Sequence, residues 1–287
     1  MTTNIGLIFD FDDTLAPDST TQLLKEYGVD PEEFWFSEFQ SRVREGYDPT
    51  VAYLSLLVDK VGDDQPFGEL TIEDLEAFGA DISKTLYSGI PRLFDDIDSI
   101  ADEYEEVTID YYILSEGLEP IIQGTEIADR CEAVYASQLD ANSEGIIQRI
   151  QRPISFTDKT RYLYEINKGI TPEDAKDNPY EVNTLVDPEE RRVPFENMIY
   201  IGDGITDIPC FSLVKDRGGR VFGVINSDGE GEEGSAKQRA IRDIGSPRRA
   251  GNLNDPMYGE SGRLGSLLRL TIEGICTDRT IDELEAL

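Results

Sequence analysis

The chain has 287 residues, 39% of them hydrophobic, which suffices for one large or two modest domains with real cores and argues against a disordered acidic polymer. Its formal charge of −33, from 59 acidic and 26 basic residues, leaves no basic stripe to displace counterions and argues against nucleic acid as a partner. The absence of histidine excludes His-based triads, His metal sites and phosphohistidine chemistry, so catalysis must use carboxylates, hydroxyls, Lys, Cys or a metal.

Ile5 to Phe9 is a short apolar run of the kind buried on both faces at the centre of a parallel sheet. It ends in acid, at Asp10, Asp12 and Asp13. Open α/β sheets bind ligands at the carboxyl ends of their strands. Asp10 and Asp12, one residue apart where strand gives way to loop, can therefore face one pocket, one attacking phosphorus while the other moves a proton. In so acidic a chain the bare acid-x-acid pattern recurs by chance. Its weight comes from the strand before it and Thr14-Leu15 after it.

From Ala16 to about Leu86 the pattern is helical. Asp30-Pro31-Glu32-Glu33 opens one helix, which runs to about Arg44. Asp48-Pro49 opens a second, with Val51, Leu54, Leu57, Val58 and Val61 at helical spacing, and Thr71-Ile72-Glu73-Asp74 a third, with Leu75 and Phe78 on one face. Phe34, Trp35, Phe36 and Phe39 form either cap core or a cavity wall. Arg42 and Arg44 suit surface ion pairs better than a substrate carboxylate. Residues 16–88 thus read as a helical insertion between a first strand and the rest of a sheet.

Gly89-Ile90-Pro91 punctuates the chain, and a helix with Leu93, Phe94, Ile97 and Ile100 follows. Strands are expected over Val107 to Ser115, Ala133 to Ala136, Met198 to Ile201 and Arg220 to Ile225. A small hairpin is expected near Gln148 to Pro153, and a helix from about Lys159 to Lys168. The Pro-, Asp- and Asn-rich segment from Gly169 to Glu196 reads as an ordered loop or small insertion, and Asn226 to Gly234 as a mobile glycine-acid loop. Helices close the chain, the last with a capping box from Thr280 to Glu283. Strands alternating with helices imply an α/β fold with a parallel, right-handed doubly wound sheet.

Three further segments carry chemistry. Ser115 ends an apolar strand, where its hydroxyl and the amide of Glu116 could hold a phosphoryl oxygen. Lys159 enters a helix and could pair with the nucleophile as negative charge builds up, with Lys168 and Arg161 as fallbacks. In Met198-Ile199-Tyr200-Ile201-Gly202-Asp203-Gly204, a strand ends between glycines that admit an ion, and Asp207 lies four residues beyond Asp203. Asp10, the backbone carbonyl of Asp12 and Asp203, with Asp207 either a further ligand or a hydrogen-bond acceptor for the ion's water, make an all-oxygen site suited to Mg²⁺.

Together Asp10/Asp12, Ser115, Lys159 and Asp203/Asp207 resemble the four motifs of the haloacid dehalogenase (HAD) superfamily, in order and on the expected elements. The helical insertion resembles a C1 cap, and the nearest branch is the phosphoserine-phosphatase-like one. The resemblance implies a Rossmann-like core over 1–15 and 89–287 with a cap over 16–88. It also implies a Mg²⁺-dependent phosphatase acting on a small phosphorylated metabolite through an aspartyl-phosphate. In that scheme Asp10 is the nucleophile, Asp12 the acid and base, and Ser115, Glu116 and Lys159 bind the phosphoryl group. Alternatives on the same scaffold are a mutase or phosphonatase, and, from another class, a non-catalytic acidic binding protein. Two departures are Asp13, where Gly is common, and Ser115-Glu116-Gly117, where phosphoserine phosphatases usually have Ser-Gly-Gly, so phosphoserine itself is not implied.

Cys131, Cys210 and Cys276 are widely spaced and fit reduced core thiols rather than a disulfide framework. The first strand follows Met1-Thr2-Thr3-Asn4 directly, and no apolar run approaches membrane-spanning length. A cytoplasmic protein with no membrane partner is expected. The acid excess, with 8 Lys against 18 Arg, suggests adaptation to molar salt. The sequence does not set the oligomeric state.

Overall fold

The computed structural model describes residues 3–225, 244–246 and 249–285. The glycine-acid segment from Asn226 to Gly234 lies outside the described residues.

The apolar runs become the strands of one sheet. These are β1 (Thr3–Phe9), β2 (Val107–Leu118), β3 (Ala133–Ala141), β4 (Ile147–Arg152), β5 (Met198–Gly202), β6 (Arg220–Val224) and β7 (Leu253–Asn254), in spatial order β4-β3-β2-β1-β5-β6-β7. All neighbours are parallel except β3 and β4, so the expected small hairpin extends the sheet as an antiparallel edge. β7 had no counterpart among the expected strands. Two residues give too little periodicity to register.

Because strand side chains alternate, each central strand feeds two cores. On one face Ile5, Leu7 and Phe9 join Tyr111, Ile113, Ile199 and Ile201. On the other Ile8 joins Tyr112, Leu114, Met198 and Tyr200. The first face is covered by α6 (Arg92–Ala101) and α11 (Arg263–Glu285), and the second by α8 (Asp158–Lys168) and α10 (Ile208–Asp216). Leu264, Leu268, Ile272 and Cys276 of α11 are buried in the first core. The helix start expected at Thr280 is not there. Thr280 lies inside α11, where its hydroxyl donates to the carbonyl of Cys276 at 3.1 Å. A helix already under way since Arg263 has no free amides there to cap.

Residues 16–88 fold as α1 (Ser19–Glu26), α2 (Pro31–Glu33), a π-helical segment (Phe34–Phe39), α3 (Gln40–Arg44), α4 (Pro49–Asp59) and α5 (Ile72–Ile82). The starts follow the capping chemistry: Asp30 and Asp48 accept from first-turn amides, and Thr71 forms a full capping box with Asp74. The π-helical widening of Phe34–Phe39 left no mark in the residue pattern. Phe34, Leu54, Leu57, Leu75 and Ile82 belong to the same hydrophobic cluster as β1, so the insertion shares the sheet's core.

Its tightest seam is between α5 and α7 (Glu119–Gln123), the short helix after β2. A Cβ on Gly79 would lie 2.1 Å from the carbonyl oxygen of Ile121, and one on Gly124 would lie 1.9 Å from that of Glu76. Neither glycine needs an unusual φ, so close backbone approach alone requires them. The segment after α8 is ordered, with α9 (Pro172–Asp177) opened by a Thr171–Asp174 capping box and followed by short 3₁₀ turns.

Candidate active site

Every motif strand ends on the same edge of the sheet, and this brings the sequence-derived residues together. Asp10 follows β1 directly, its amide donating to the Ile201 carbonyl of β5 at 2.8 Å. Its Oδ1 accepts from the Phe11 amide at 2.7 Å and its Oδ2 from Lys159 Nζ at 3.0 Å. Both oxygens of this buried carboxylate are thus fixed in direction.

Lys159 is the centre of the electrostatics. Its side chain is fully buried, and Nζ also donates to Asp207 Oδ1 at 2.7 Å. Burial alone would lower its pKa, but Asp10, Asp207 and Glu116 outweigh that and hold it charged, well above the usual lysine range. Neither fallback cation is at the site. Lys168 donates to the carbonyls of Val182 and Thr184, and Arg161 pairs with Glu165.

Asp207 is buried, with Oδ1 also accepting from Tyr200 OH at 2.7 Å and Oδ2 from the Gly204 amide at 3.0 Å. Its lone pairs are largely taken, so its suited role is to hold Lys159 in place. A Cβ on Gly202 would stand 2.4 Å from Asp207 Oδ2, which is why that position is glycine. Asp203 is freer: Thr14 Oγ1 approaches its Oδ1 only at 3.4 Å. Burial, then Asp10 and Asp207, push its pKa well up.

Oxygens of Asp10, Asp203 and Asp207 lie within 4.8 Å of one another. Three carboxylates converge where Lys159 supplies one compensating charge, and among the described residues the Asp203 side chain accepts only from Thr14. That donor set is hard, oxygen-only and net negative, and it fits Mg²⁺.

Asp12 sits just after the nucleophile position. Its Oδ1 accepts from the Ser19 amide at 2.7 Å, which directs Oδ2 toward Gly117. A Cβ at Gly117 would come within 2.6 Å of that oxygen. Burial first, then the neighbouring Asp18, raises the Asp12 pKa to about 8. The corresponding value for Asp10 is about 6, raised by burial and then by Asp207. The two carboxyls are therefore driven apart, with Asp12 the one that keeps a proton near neutrality. Ser115 is buried at the end of the apolar part of β2, its Oγ accepting from the Gly117 amide at 3.0 Å.

Asp10, Asp12, Ser115 and Asp203 floor a cavity of about 320 Å³ that is roofed by the insertion, with Lys159 and Asp207 buried beneath it. Of the aromatic cluster, Trp35 and Phe39 line it, while Phe34 is buried in the core and Phe36 is 77% exposed. Tyr53, Asp18, Thr20, Thr50 and Thr206 also line it. Sequence patterning did not single these out. Asp18 alone carried a signal, as an N-cap before Ser19-Thr20-Thr21. Tyr53 sits on an apolar helix among leucines, with nothing to mark it. Arg42 turns away to Asp59 and Ser55, and Arg44 is exposed.

No protein-family model matches the chain. An uncharacterized protein of Borreliella burgdorferi is 30% identical over 237 residues, covering 74% of this chain and 79% of that one. Among solved structures, a HAD family hydrolase from Salmonella enterica serovar Typhi superposes with a TM-score of 0.52 at 15% identity. The match covers 78% of this chain and 63% of that one, so it spans less than two thirds of that hydrolase. A probable phosphoserine phosphatase from Vibrio cholerae gives 0.51 at 13% identity, over 96% and 67% of the two chains. Cytosolic 5'-nucleotidase IIIB bound to cytidine gives 0.50 at 14%, over 96% and 87%.

Proposed function

From a chain that belongs to one family with the uncharacterized Borreliella burgdorferi protein and has the HAD-hydrolase fold, we propose a Mg²⁺-dependent phosphatase of small phosphate monoesters. The observation that carries this reading is the fully buried Lys159, held between Asp10 and Asp207 beneath a cavity that also meets Asp12, Ser115 and Asp203. A buried lysine with this carboxylate array answers the needs of phosphoryl transfer, in which positioning and charge neutralisation dominate.

In the first step a carboxylate oxygen of Asp10 forms a bond to phosphorus as the bond to the leaving alcohol breaks. The proton on Asp12 passes to the departing alkoxide, for which a carboxyl raised to about 8 is suited. In the second step Asp12, now a carboxylate, takes a proton from water. The resulting hydroxide attacks phosphorus, releasing phosphate and restoring Asp10. Lys159 and the Ser115 hydroxyl hold the phosphoryl oxygens throughout, while Asp207 and the Phe11 amide keep Lys159 and Asp10 aligned. Asp10, Asp203 and the Asp12 carbonyl would hold Mg²⁺, which when bound would supply positive charge beside the phosphoryl group.

The test is phosphate release from p-nitrophenyl phosphate with Mg²⁺ in molar salt. Asp10→Asn is expected to lower kcat more than about 10³-fold with an unchanged circular dichroism spectrum. Appreciable turnover by folded Asp10→Asn would remove the nucleophile from its role.

A further inference from the structure

Beyond Asp10 the cavity continues under the insertion, and this outer half has walls of two kinds. One is aromatic. The π-helical segment places Trp35 and Phe39 four residues apart with ring centroids 5.5 Å from each other, and the Tyr53 ring lies 6.0 Å from that of Trp35. Trp35 is pinned by its indole N–H, which donates to Thr21 Oγ1 at 2.9 Å, and Tyr53 by its hydroxyl, which donates to the Glu116 carbonyl. π-Helical turns inside α-helices recur at functional sites.

The other wall is acidic. Asp18 and Glu116 line it, and among the described residues no lysine or arginine does. Asp18 is occupied as the cap of α1, accepting from the amide and hydroxyl of Thr21. Glu116 is different: its Oε1 is buried and has no hydrogen-bond partner among the described residues. An unpaired buried acceptor is costly unless a ligand completes it.

Three kinds of leaving group can be compared in this space. One bearing a carboxylate or second phosphate would meet Asp18 and Glu116 with no lining lysine or arginine to pair with it. An uncharged alkyl group would cover the rings but leave Glu116 Oε1 unpaired. A group bearing an ammonium would set its positive charge against the Glu116 carboxylate, donating to Oε1 where it carries an N–H, and would stack on aromatic faces, the recognition mode of aromatic cages. Resting on the phosphatase reading above, we propose that the outer cavity seats an ammonium group carried by the leaving alcohol, so that the enzyme selects aminoalkyl or quaternary-ammonium alkyl phosphates. Glu116 would then contact the leaving alcohol's cation, not only the phosphoryl group through its amide.

Trp35 is the only tryptophan in the chain and reports on this seat without any turnover. At fixed ionic strength, choline is expected to change its fluorescence saturably and its neutral isostere 3,3-dimethylbutan-1-ol is not. With Mg²⁺ present, kcat/KM for choline phosphate should exceed that for 3,3-dimethylbutyl phosphate at least tenfold, with phosphoserine, which adds a carboxylate, also poor. Glu116→Gln should weaken choline binding and narrow the ester ratio to within about threefold, although it removes only one of 59 acidic groups. Equal fluorescence responses to choline and its isostere, or equal turnover of the two esters by the unaltered enzyme, would overturn the ammonium seat. Choline binding with no phosphate released from any ester, p-nitrophenyl phosphate included, would instead sink the phosphatase reading and leave the seat standing.

Discussion

Asp12 illustrates how much of one residue's chemistry its surroundings set. One oxygen is committed to the Ser19 amide and the other faces Gly117, with burial favouring the protonated form. If it protonates the leaving group, Asp12→Asn should cost alkyl phosphates at least tenfold more than p-nitrophenyl phosphate, whose phenolate departs with little help. Comparing kcat/KM for the two esters checks this, and equal losses would leave Asp12 only a positioning role. The same burial makes a statement about stability. In the metal-free protein Asp10 and Asp12 titrate near 6 and 8, against about 3.9 in the unfolded chain. The folded state therefore binds more protons across that interval, and its stability is full below about pH 4 and declines as pH rises through 6 and 8. Asp96, held low by Arg269, acts below that window. In EDTA at constant high salt, the unfolding midpoint should fall from pH 5 to pH 8. Mg²⁺ should restore more of it at the higher pH, and Asp203→Asn should raise the metal-free midpoint by a few degrees. A midpoint flat with pH in EDTA would contradict these burial effects. The floor of the site was legible in the sequence because Asp10, Ser115 and Asp203 each end an apolar strand, and parallel strands end together. Tyr53 and Gly117 were not, because what matters about them is a neighbour more than sixty residues away or a missing Cβ.

Among the elements, the strands and capped helices were readable from local rules, whereas their mutual approach was not. Asp30, Asp48 and Thr71 start helices where their side chains satisfy first-turn amides, a purely local matter. The π-helical widening at Phe34–Phe39 and the run of α11 through Thr280 depend on what each segment packs against. The seam between α5 and α7 is the sharpest case. Gly79 and Gly124 look like helix weakness in the sequence, yet a methyl at either would enter a facing carbonyl. Gly124→Ala should therefore destabilise by about 1–3 kcal/mol through overpacking. With roughly 2–4 °C per kcal/mol in a chain of this size, the unfolding midpoint should drop by about 2–12 °C. An unchanged midpoint would mean that α5 and α7 part at no cost.

At the scale of the molecule, charge dominates. No helix among the described residues is long and apolar enough to cross a membrane, and both faces of the sheet carry full hydrophobic cores. The acid excess is therefore superimposed on an ordinary apolar interior. Many of the ion pairs that offset it are exposed, such as Lys84–Asp81 and Arg92–Glu260, and exposed pairs contribute little. With a net charge of −33, surface carboxylates face mostly one another. Their repulsion is short-ranged at about 1 M salt, where the Debye length is roughly 3 Å, and reaches neighbouring groups at 0.1 M, where it is about 10 Å. Dialysis into dilute buffer should accordingly cost structure and activity, and molar KCl or NaCl should restore both. Mg²⁺ is a separate variable, because the Asp10–Asp203 site would be relieved by the ion itself; the series belongs in constant Mg²⁺. Screening alone acts alike for the two salts, so a marked K⁺ preference would assign part of the effect to hydration of the carboxylates. Circular dichroism and unfolding midpoints from 0.1 M to 3 M salt would distinguish these cases. A flat midpoint would free the acidity from any role in holding the fold, and would turn attention to an acidic surface built to meet a cationic partner.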